Sequence, residues 1–183
     1  MTTPVLHTER LMFRPYRPED EDAFVELLRD EEVCRWMGQE RVPEADIRTL
    51  FRAILTDVYP QRLFDVWGVW QGETFVGHAE VKKTGNVDGH ELIAALAPAY
   101  WGRGLGTEVV GGPRGPPPRP PAAHPGALTA PSGLGAPHNT PSLALCRRLG
   151  FRHVRDVTGD DGTVTKLLVI STTDAYAQDQ HPE

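Results

Sequence analysis

The chain has 183 residues and a formal net charge of −6 at pH 7. This length suits one domain with a hydrophobic core, and the charge argues against a nucleic-acid partner. The two cysteines form no Cys-x-x-Cys pair and the seven histidines lack ligand spacing, so we expect no bound metal. Without a signal peptide or an apolar run of membrane length, the sequence predicts a cytoplasmic protein with no membrane partner.

The first half of the chain alternates between helix-like and strand-like segments. Thr8 to Pro15 alternates apolar and polar residues and predicts a strand. Carboxylates at Glu19 to Asp22 predict a helix start, because they favour the positive end of the helix dipole. A second helix is predicted from Pro43 to about Val58. Three further strands are then predicted at Phe64–Trp70, Thr74–Lys82 and Glu91–Pro98.

A glycine-rich segment follows the last of these strands. Ala99 to Trp101 predicts a turn, and Gly102 to Val110 predicts a loop that opens a helix. The first N–H groups of a helix lack internal partners, so this arrangement favours an anion such as pyrophosphate. The glycine spacing fits neither the Rossmann pattern nor a P-loop, because the third glycine and the Gly-Lys-Ser/Thr sequence are missing.

The C-terminal part predicts one helix and a hairpin. Asn139 is a good N-cap, Pro141 lies in the first turn, and Gly150 can end the helix in the left-handed conformation. Two strands, Phe151 to Val157 and Thr163 to Ile170, then predict a hairpin. A polar tail covers residues 172–183.

Two motifs in this order resemble the signatures of the GNAT superfamily of N-acetyltransferases. The window Trp101 to Gly106 resembles the family's Gln/Arg-x-x-Gly-x-Gly/Ala loop, with Trp in the first position as in the ribosomal-protein-alanine N-acetyltransferase branch. Asn139 to Phe151 resembles the Asn-x-x-Ser helix that ends in Leu-Gly-Phe. The resemblance implies an α/β (α+β) fold with a mixed central sheet flanked by helices, in one domain over residues 5–171. It also implies a monomer or homodimer.

The same resemblance implies direct transfer of an acetyl group from acetyl-CoA to an amine acceptor, either a protein N-terminus or a small molecule. Backbone N–H groups of Leu92 to Leu96 would act on the pantetheine and the thioester carbonyl. Glu91 is a candidate general base, and the candidate acids are Ser142, Cys146 or water. The implied cofactor-binding residues lie on the strand end, the loop and the helix cap: Leu96, Trp101, Gly102, Arg103, Gly104, Leu105, Gly106, Thr107 and Asn139.

Residues 111–137 depart from the family pattern, which requires a helix and a strand there. All but five of these residues are Pro, Gly, Ala or Arg, and nine of the chain's 17 prolines lie among them. Proline disrupts helices and sheet interiors, so we expect the helix and strand after the loop to be disrupted and the domain to be interrupted by a disordered segment.

Three explanations for this segment remain open: a natural insertion, a polyproline ligand, or a stretch read in the wrong frame. Gly, Pro, Ala and Arg are the residues whose codons begin with two G or C bases, so a GC-rich gene read one base out of register yields this mixture. The segment also has about the length of the elements it replaces. Both facts favour a frame error. Arg114 to Pro120 fits Arg-x-x-Pro-x-x-Pro, a polyproline II ligand pattern. The alternative functions are a non-catalytic or unstable remnant of the family, or a proline-rich interaction protein.

Overall fold

The computed structural model describes residues 3–37, 40–84, 89–111, 127–129, 140–158 and 164–171. The polyproline pattern at Arg114 to Pro120 and the tail at 172–183 lie outside these residues. Within them, one eight-stranded sheet has the order β1-β2-β3-β4-β5-β6-β8-β7.

The N-terminal segment forms two short strands rather than the single strand predicted for Thr8 to Pro15. Strands β1 (Leu6–His7) and β2 (Met12–Arg14) pair antiparallel. The Thr8 N–H donates to the Leu11 carbonyl at 2.8 Å, and the Leu11 N–H donates to the Thr8 hydroxyl at 3.0 Å. These bonds close a turn at Glu9 and Arg10, which the alternating pattern alone does not reveal.

Four helices follow: α1 (Glu21–Arg29), α2 (Glu31–Met37), α3 (Glu44–Ala53) and α4 (Tyr59–Gln61). The helix predicted from Pro43 to Val58 is confirmed, since α3 continues as a π-helical turn over Ile54–Val58. Helix α2 was not predicted. Its start is nevertheless encoded locally, because the Asp30 carboxylate accepts the N–H groups of Glu32 and Val33 at 2.9 and 3.1 Å.

The central strands agree with the sequence predictions within a few residues. Strands β3 (Asp65–Gln71), β4 (Thr74–Thr84) and β5 (Gly89–Leu96) form an antiparallel series. Strands β7 (Arg152–Thr158) and β8 (Val164–Ser171) form the predicted C-terminal hairpin. The mixed α/β fold predicted from the sequence is therefore confirmed.

Within the described residues, a helix and a strand follow the glycine loop. Helix α5 spans Leu105–Gly111, and β6 is the three-residue strand Ala127–Thr129, which lies parallel to β5 and antiparallel to β8. The disruption of the helix and strand after the loop stays a prediction, but residues 127–129 of the Pro- and Gly-rich run do form a strand. Ala-Leu-Thr contains no proline, so each residue keeps the N–H group that a ladder needs. Helix α6 (Thr140–Arg148) leads into β7.

Helices cover both faces of the sheet. On one face, α5 packs Leu105 and Val109 against Phe13 and Val69. On the other face, α1 and α3 pack Phe24 and Phe51 around Tyr16, whose ring meets each of theirs edge-on at 5.4 Å. Helix α6 packs in a third cluster with the buried residues Leu92, Val110, Leu143, Cys146, Phe151 and Leu168. This layering places α5 and α6 beside the C-terminal end of β5.

Candidate active site

Strand β5 is paired on both edges at its start and on one edge at its end. Its register with β4 runs from Thr84↔Gly89 to Gly77↔Leu96, the whole length of the strand. Its register with β6 covers only Gly89 to Glu91. Within the described part of the chain, the sheet therefore forks after Glu91, and the stretch Leu92 to Leu96 has a free edge.

Hydrogen bonds show which backbone groups face this free edge. The Ala97 N–H donates to the Val76 carbonyl at 2.9 Å, toward β4. In an antiparallel pair, residues that bond inward alternate with residues whose N–H and C=O groups face outward. Leu96, Ala94 and Leu92 therefore direct their groups into the fork. In agreement, the Leu96 carbonyl accepts the indole N–H of Trp101 at 2.7 Å.

The glycine loop begins immediately after this strand end. A 3-10 turn over Pro98–Tyr100 leads into Trp101, and Gly102 and Gly104 have φ values of +71° and +77°. Other residues rarely adopt these angles. A Cβ at Gly102 would project into open space, with no heavy atom within 4 Å. The loop is thus a backbone concavity that a ligand can approach closely.

The fork and the loop line one cavity of about 680 Å³. Most of the residues predicted to bind a cofactor meet there: Leu96, Trp101, Gly102, Gly104, Gly106 and Thr107. Two predicted residues of the loop do not line it. The Arg103 guanidinium lies 5.4 Å from the Tyr100 ring centroid, and Leu105 is fully buried as the apolar anchor of α5. Asn139 lies outside the described residues.

The opposite wall of the cavity comes from α2, which sequence reasoning missed. Arg35, Trp36 and Met37 line this wall, and Arg148 of α6 also contributes. The Asp30 cap was the available signal for this helix. The indole of Trp36 thus lies at the cavity. Trp67 is instead a core residue whose indole N–H donates to the Pro4 carbonyl at 2.7 Å.

The three candidate proton-transfer residues have different positions. Glu91 is half-buried and is the last residue of β5 that is paired with β6. Ser142 lies in the first turn of α6, and its side chain is outside the described part. Cys146 has no exposed surface, and burial raises the pKa of its thiol to about 11. It packs with Leu92 and Leu168, so its position corresponds to core packing rather than to the cavity wall.

A polar cluster lies inside the sheet on β4. The Tyr16 hydroxyl is 2.9 Å from Nδ1 of buried His78, and Nε2 of His78 is 3.7 Å from the Glu80 carboxylate. Lys82 Nζ contacts the same carboxylate at 2.9 Å. Burial opposes ionisation of Glu80, but the contacts with His78 and Lys82 outweigh it and lower its pKa to about 2. The cluster does not line the cavity.

The described residues contain neither a metal-binding cluster nor a membrane-spanning helix. No group of three or more His, Cys, Asp or Glu side chains within the described ranges could hold a metal ion. Among the helices of those ranges, none is both long enough and apolar enough to cross a membrane.

Comparison with known proteins identifies the family to which this fold and cavity belong. Residues 10–113 match the model of the acetyltransferase (GNAT) domain, which is more than half of the chain. The protein belongs to the GNAT acetyltransferase family.

Individual relatives are distant. An uncharacterised N-acetyltransferase of Bacillus subtilis, YoaA, is 25% identical over 114 residues, which are 58% of this chain and 62% of that protein. The match therefore spans less than two thirds of that relative. An acetyltransferase structure from Agrobacterium tumefaciens superposes with a TM-score of 0.71 at 20% identity, covering 94% of this chain and 96% of the other. A spermidine N-acetyltransferase from Vibrio cholerae, solved with CoA and spermine, gives 0.70 at 14% identity, covering 92% and 99%.

Proposed function

We propose that the protein transfers an acetyl group from acetyl-CoA to a primary amine. The observation that carries this proposal is the fork after Glu91, where the free edge of β5 and the glycine loop line the same cavity. A strand edge can hydrogen-bond an extended amide-containing chain, as pantetheine is, and clustered loop amides can bind a pyrophosphate. Few other ligands need both surfaces in this order.

The residues present fit acetyl-CoA. The outward groups of Leu92, Ala94 and Leu96 can bond the pantetheine amides, although the Leu96 carbonyl already accepts from Trp101. The N–H groups from Gly102 to Gly106 can bond the pyrophosphate, because positive φ at Gly102 and Gly104 lets the backbone approach it. Among the other predicted residues, Thr107 faces the same cavity, and Asn139 is proposed to hold the pantetheine arm.

When bound, acetyl-CoA supplies an activated acetyl thioester. An N–H group on the free edge of β5 can stabilise a carbonyl oxygen as it becomes negative. We assign proton removal from the amine to Glu91 through water, because it lies at the branch of the fork. We assign protonation of the leaving thiolate to Ser142 rather than to Cys146, which is buried. We therefore expect Ser142→Ala to lower kcat about 100-fold, the usual scale for a general acid, and Cys146→Ala to leave kcat unchanged in the same assay.

The acceptor is proposed to be a protein N-terminus or a small-molecule amine. The loop's Trp-Gly-x-Gly sequence at Trp101 to Gly104 supports the ribosomal-protein-alanine N-acetyltransferase branch. The spermidine N-acetyltransferase with the same fold supports a small-molecule amine. In either case the amine would enter from the α2 side, where Trp36 and Met37 line the cavity.

Calorimetry with acetyl-CoA tests the cofactor site. Gly104→Pro is expected to abolish binding, because proline fixes φ near −65° and removes an N–H group, whereas this position has a φ of +77°. Gly111→Ala is a matched control, since its new Cβ would make an ordinary 3.6 Å contact with Leu149. No binding by the unmodified protein, or equal binding by Gly104→Pro, would contradict the proposal.

We also propose that most of the segment 111–137 is encoded in a shifted frame. The near-complete overlap in length with solved structures supports this, since the match to a Bacillus anthracis acetyltransferase covers 92% of this chain and 98% of that one. Resequencing the gene across these codons tests it. A version with a shifted-frame helix and strand should be more stable and should bind acetyl-CoA more tightly than the unmodified chain, whereas equal stability and affinity of the two would indicate a tolerated insertion.

A further inference from the structure

The β1–β2 turn is joined to α5 by one carboxylate. Glu108 lies in the first turn of α5, and its Oε2 accepts the Thr8 hydroxyl at 2.7 Å and the Arg10 backbone N–H at 3.1 Å. Its Oε1 accepts Nε of the Arg10 side chain. Although burial favours the neutral acid, these bonds outweigh it and lower the pKa of Glu108, so the group is ionised at neutral pH. We call this cluster of Thr8, Arg10 and Glu108 the loop clasp.

The clasp reaches the glycine loop through Arg10. With Nε directed to Glu108, Nη1 of Arg10 donates to the Arg103 carbonyl at 2.9 Å. A trans peptide directs its C=O and the following N–H to opposite sides. The bond to the Arg103 carbonyl therefore directs the Gly104 N–H away from Arg10. Gly104 lines the cavity, whereas Arg10 and Arg103 do not, which is consistent with an N–H group of Gly104 that faces the cavity.

The bond from Arg10 matters because glycines on both sides of Arg103 give the loop conformational freedom. Arg103 lies between Gly102 and Gly104, both with positive φ and both exposed. Glycine has a large conformational freedom to lose, so a loop of this kind is costly to order when a ligand binds. A bond that holds the Arg103–Gly104 peptide in place before binding removes part of that cost.

We propose that Arg10, held by Glu108, is a positioning residue that orients the Gly104 N–H toward the pyrophosphate of acetyl-CoA. The inference rests on the proposed function. It assigns an effect on cofactor affinity to two residues that do not line the cavity, one of them in the N-terminal hairpin. The rival explanation is that Arg10 binds a phosphate directly and that Glu108 has no part in binding.

The two explanations predict opposite changes in acetyl-CoA affinity for Glu108→Gln. Removing a negative charge close to a bound phosphate strengthens binding by electrostatics alone. Loss of the clasp weakens binding, because the neutral amide holds the Arg10 guanidinium less strongly than a carboxylate does. We expect Glu108→Gln and Arg10→Met each to raise the KM for acetyl-CoA about tenfold, the scale of one charge-assisted hydrogen bond, with kcat unchanged.

The experiment compares acetyl-CoA with acetyl-pantetheine, which lacks the pyrophosphate, in the full-length chain. The two variants should use acetyl-pantetheine as well as the unmodified protein does, and their melting temperatures are measured without ligand. Arg17→Met is the matched control, because the exposed Arg17 pairs only loosely with Glu19 at 4.0 Å.

Each outcome has one meaning. An equal loss with both acetyl donors means a general structural role and overturns the inference. Tighter acetyl-CoA binding in Glu108→Gln overturns it in favour of direct contact, and unchanged KM values in both variants overturn it as well. Failure of the unmodified protein to bind acetyl-CoA contradicts the proposed function itself and is seen before any variant is made.

Discussion

The two edges of β5 differ in their pairing. The edge along β4 contributes to the stability of the sheet, whereas the edge along β6 is the one proposed to bind the cofactor. Along β4, every residue of β5 from Gly89 to Leu96 has a register partner. Along β6, within the part of the chain that the structure describes, only the first three have one. The continuous edge holds the strand straight and thereby fixes the direction of the outward groups at Leu92, Ala94 and Leu96. A strand edge that binds a ligand needs a rigid partner on its other side, and β4 would be that partner if β5 binds the cofactor as proposed.

The largest expected effect comes from breaking the continuous edge at Gly77. A Cβ added there would overlap the Ala95 carbonyl oxygen and lie 2.8 Å from Leu96 Cδ2. The backbone oxygen cannot move without shifting β5, so Gly77→Ala should lower the free energy of unfolding by about 3 kcal/mol, the upper range for overpacking. Denaturant unfolding measures this. The same change at Gly111 should be neutral or slightly stabilising, and an unchanged midpoint for Gly77→Ala would show that the close approach is not needed.

A second, smaller effect concerns Glu80, which lies on β4. Its folded pKa of about 2 is below the ordinary 4.5, so its contribution is complete above pH 4.5 and is lost as pH falls toward 2. The difference between a pKa of 4.5 and one of about 2 corresponds to about 3 kcal/mol. Because the amide of Glu80→Gln keeps part of the hydrogen bonding, this variant should lower the unfolding free energy at pH 7 by about 2 kcal/mol. Between pH 4.5 and 2, the unfolding free energy of Glu80→Gln should decrease less steeply with falling pH than that of the unmodified protein.

The control for this prediction is Glu73→Gln, an exposed carboxylate in the β3–β4 turn. Its pH profile should follow that of the unmodified protein. A Glu80→Gln profile with the same acid slope as the unmodified protein would mean that Glu80 is not the group responsible.

The smallest effect is expected at the free edge itself. Trp101→Phe removes the indole N–H that the Leu96 carbonyl accepts, and this bond joins the strand end to the loop. A hydrogen bond of this kind contributes about 1 kcal/mol, so acetyl-CoA affinity should fall about fivefold by calorimetry. Trp70→Phe, which changes an indole beside Arg14 and outside the cavity, should leave affinity unchanged. Equal affinities of the unmodified protein, Trp101→Phe and Trp70→Phe would show that the Trp101 indole N–H does not contribute to binding.

The sequence predicted the fold and the glycine loop because both depend on local signals. Alternating apolar residues predicted β3 to β5, and the glycines at 102 and 104 predicted a loop that their positive φ angles confirm. The α2 wall was missed although Asp30 provides a cap, because its short apolar pattern is weak. The loop clasp could not be predicted, since Thr8 and Glu108 are 100 positions apart in the chain and meet only through the folded sheet.

The complete burial of Cys146 has a practical consequence for following motion in this molecule. A thiol reagent can reach that sulfur only when α6 separates from Leu92 and Phe151, so the labelling rate reports how often that helix opens. Cys34, also buried, donates its thiol to the Leu28 carbonyl at 3.1 Å and would report α2 in the same way. The two cysteines therefore report separately on the opening of α2 and α6, two of the helices that border the cavity, and substituting either one leaves the other as a single reporter.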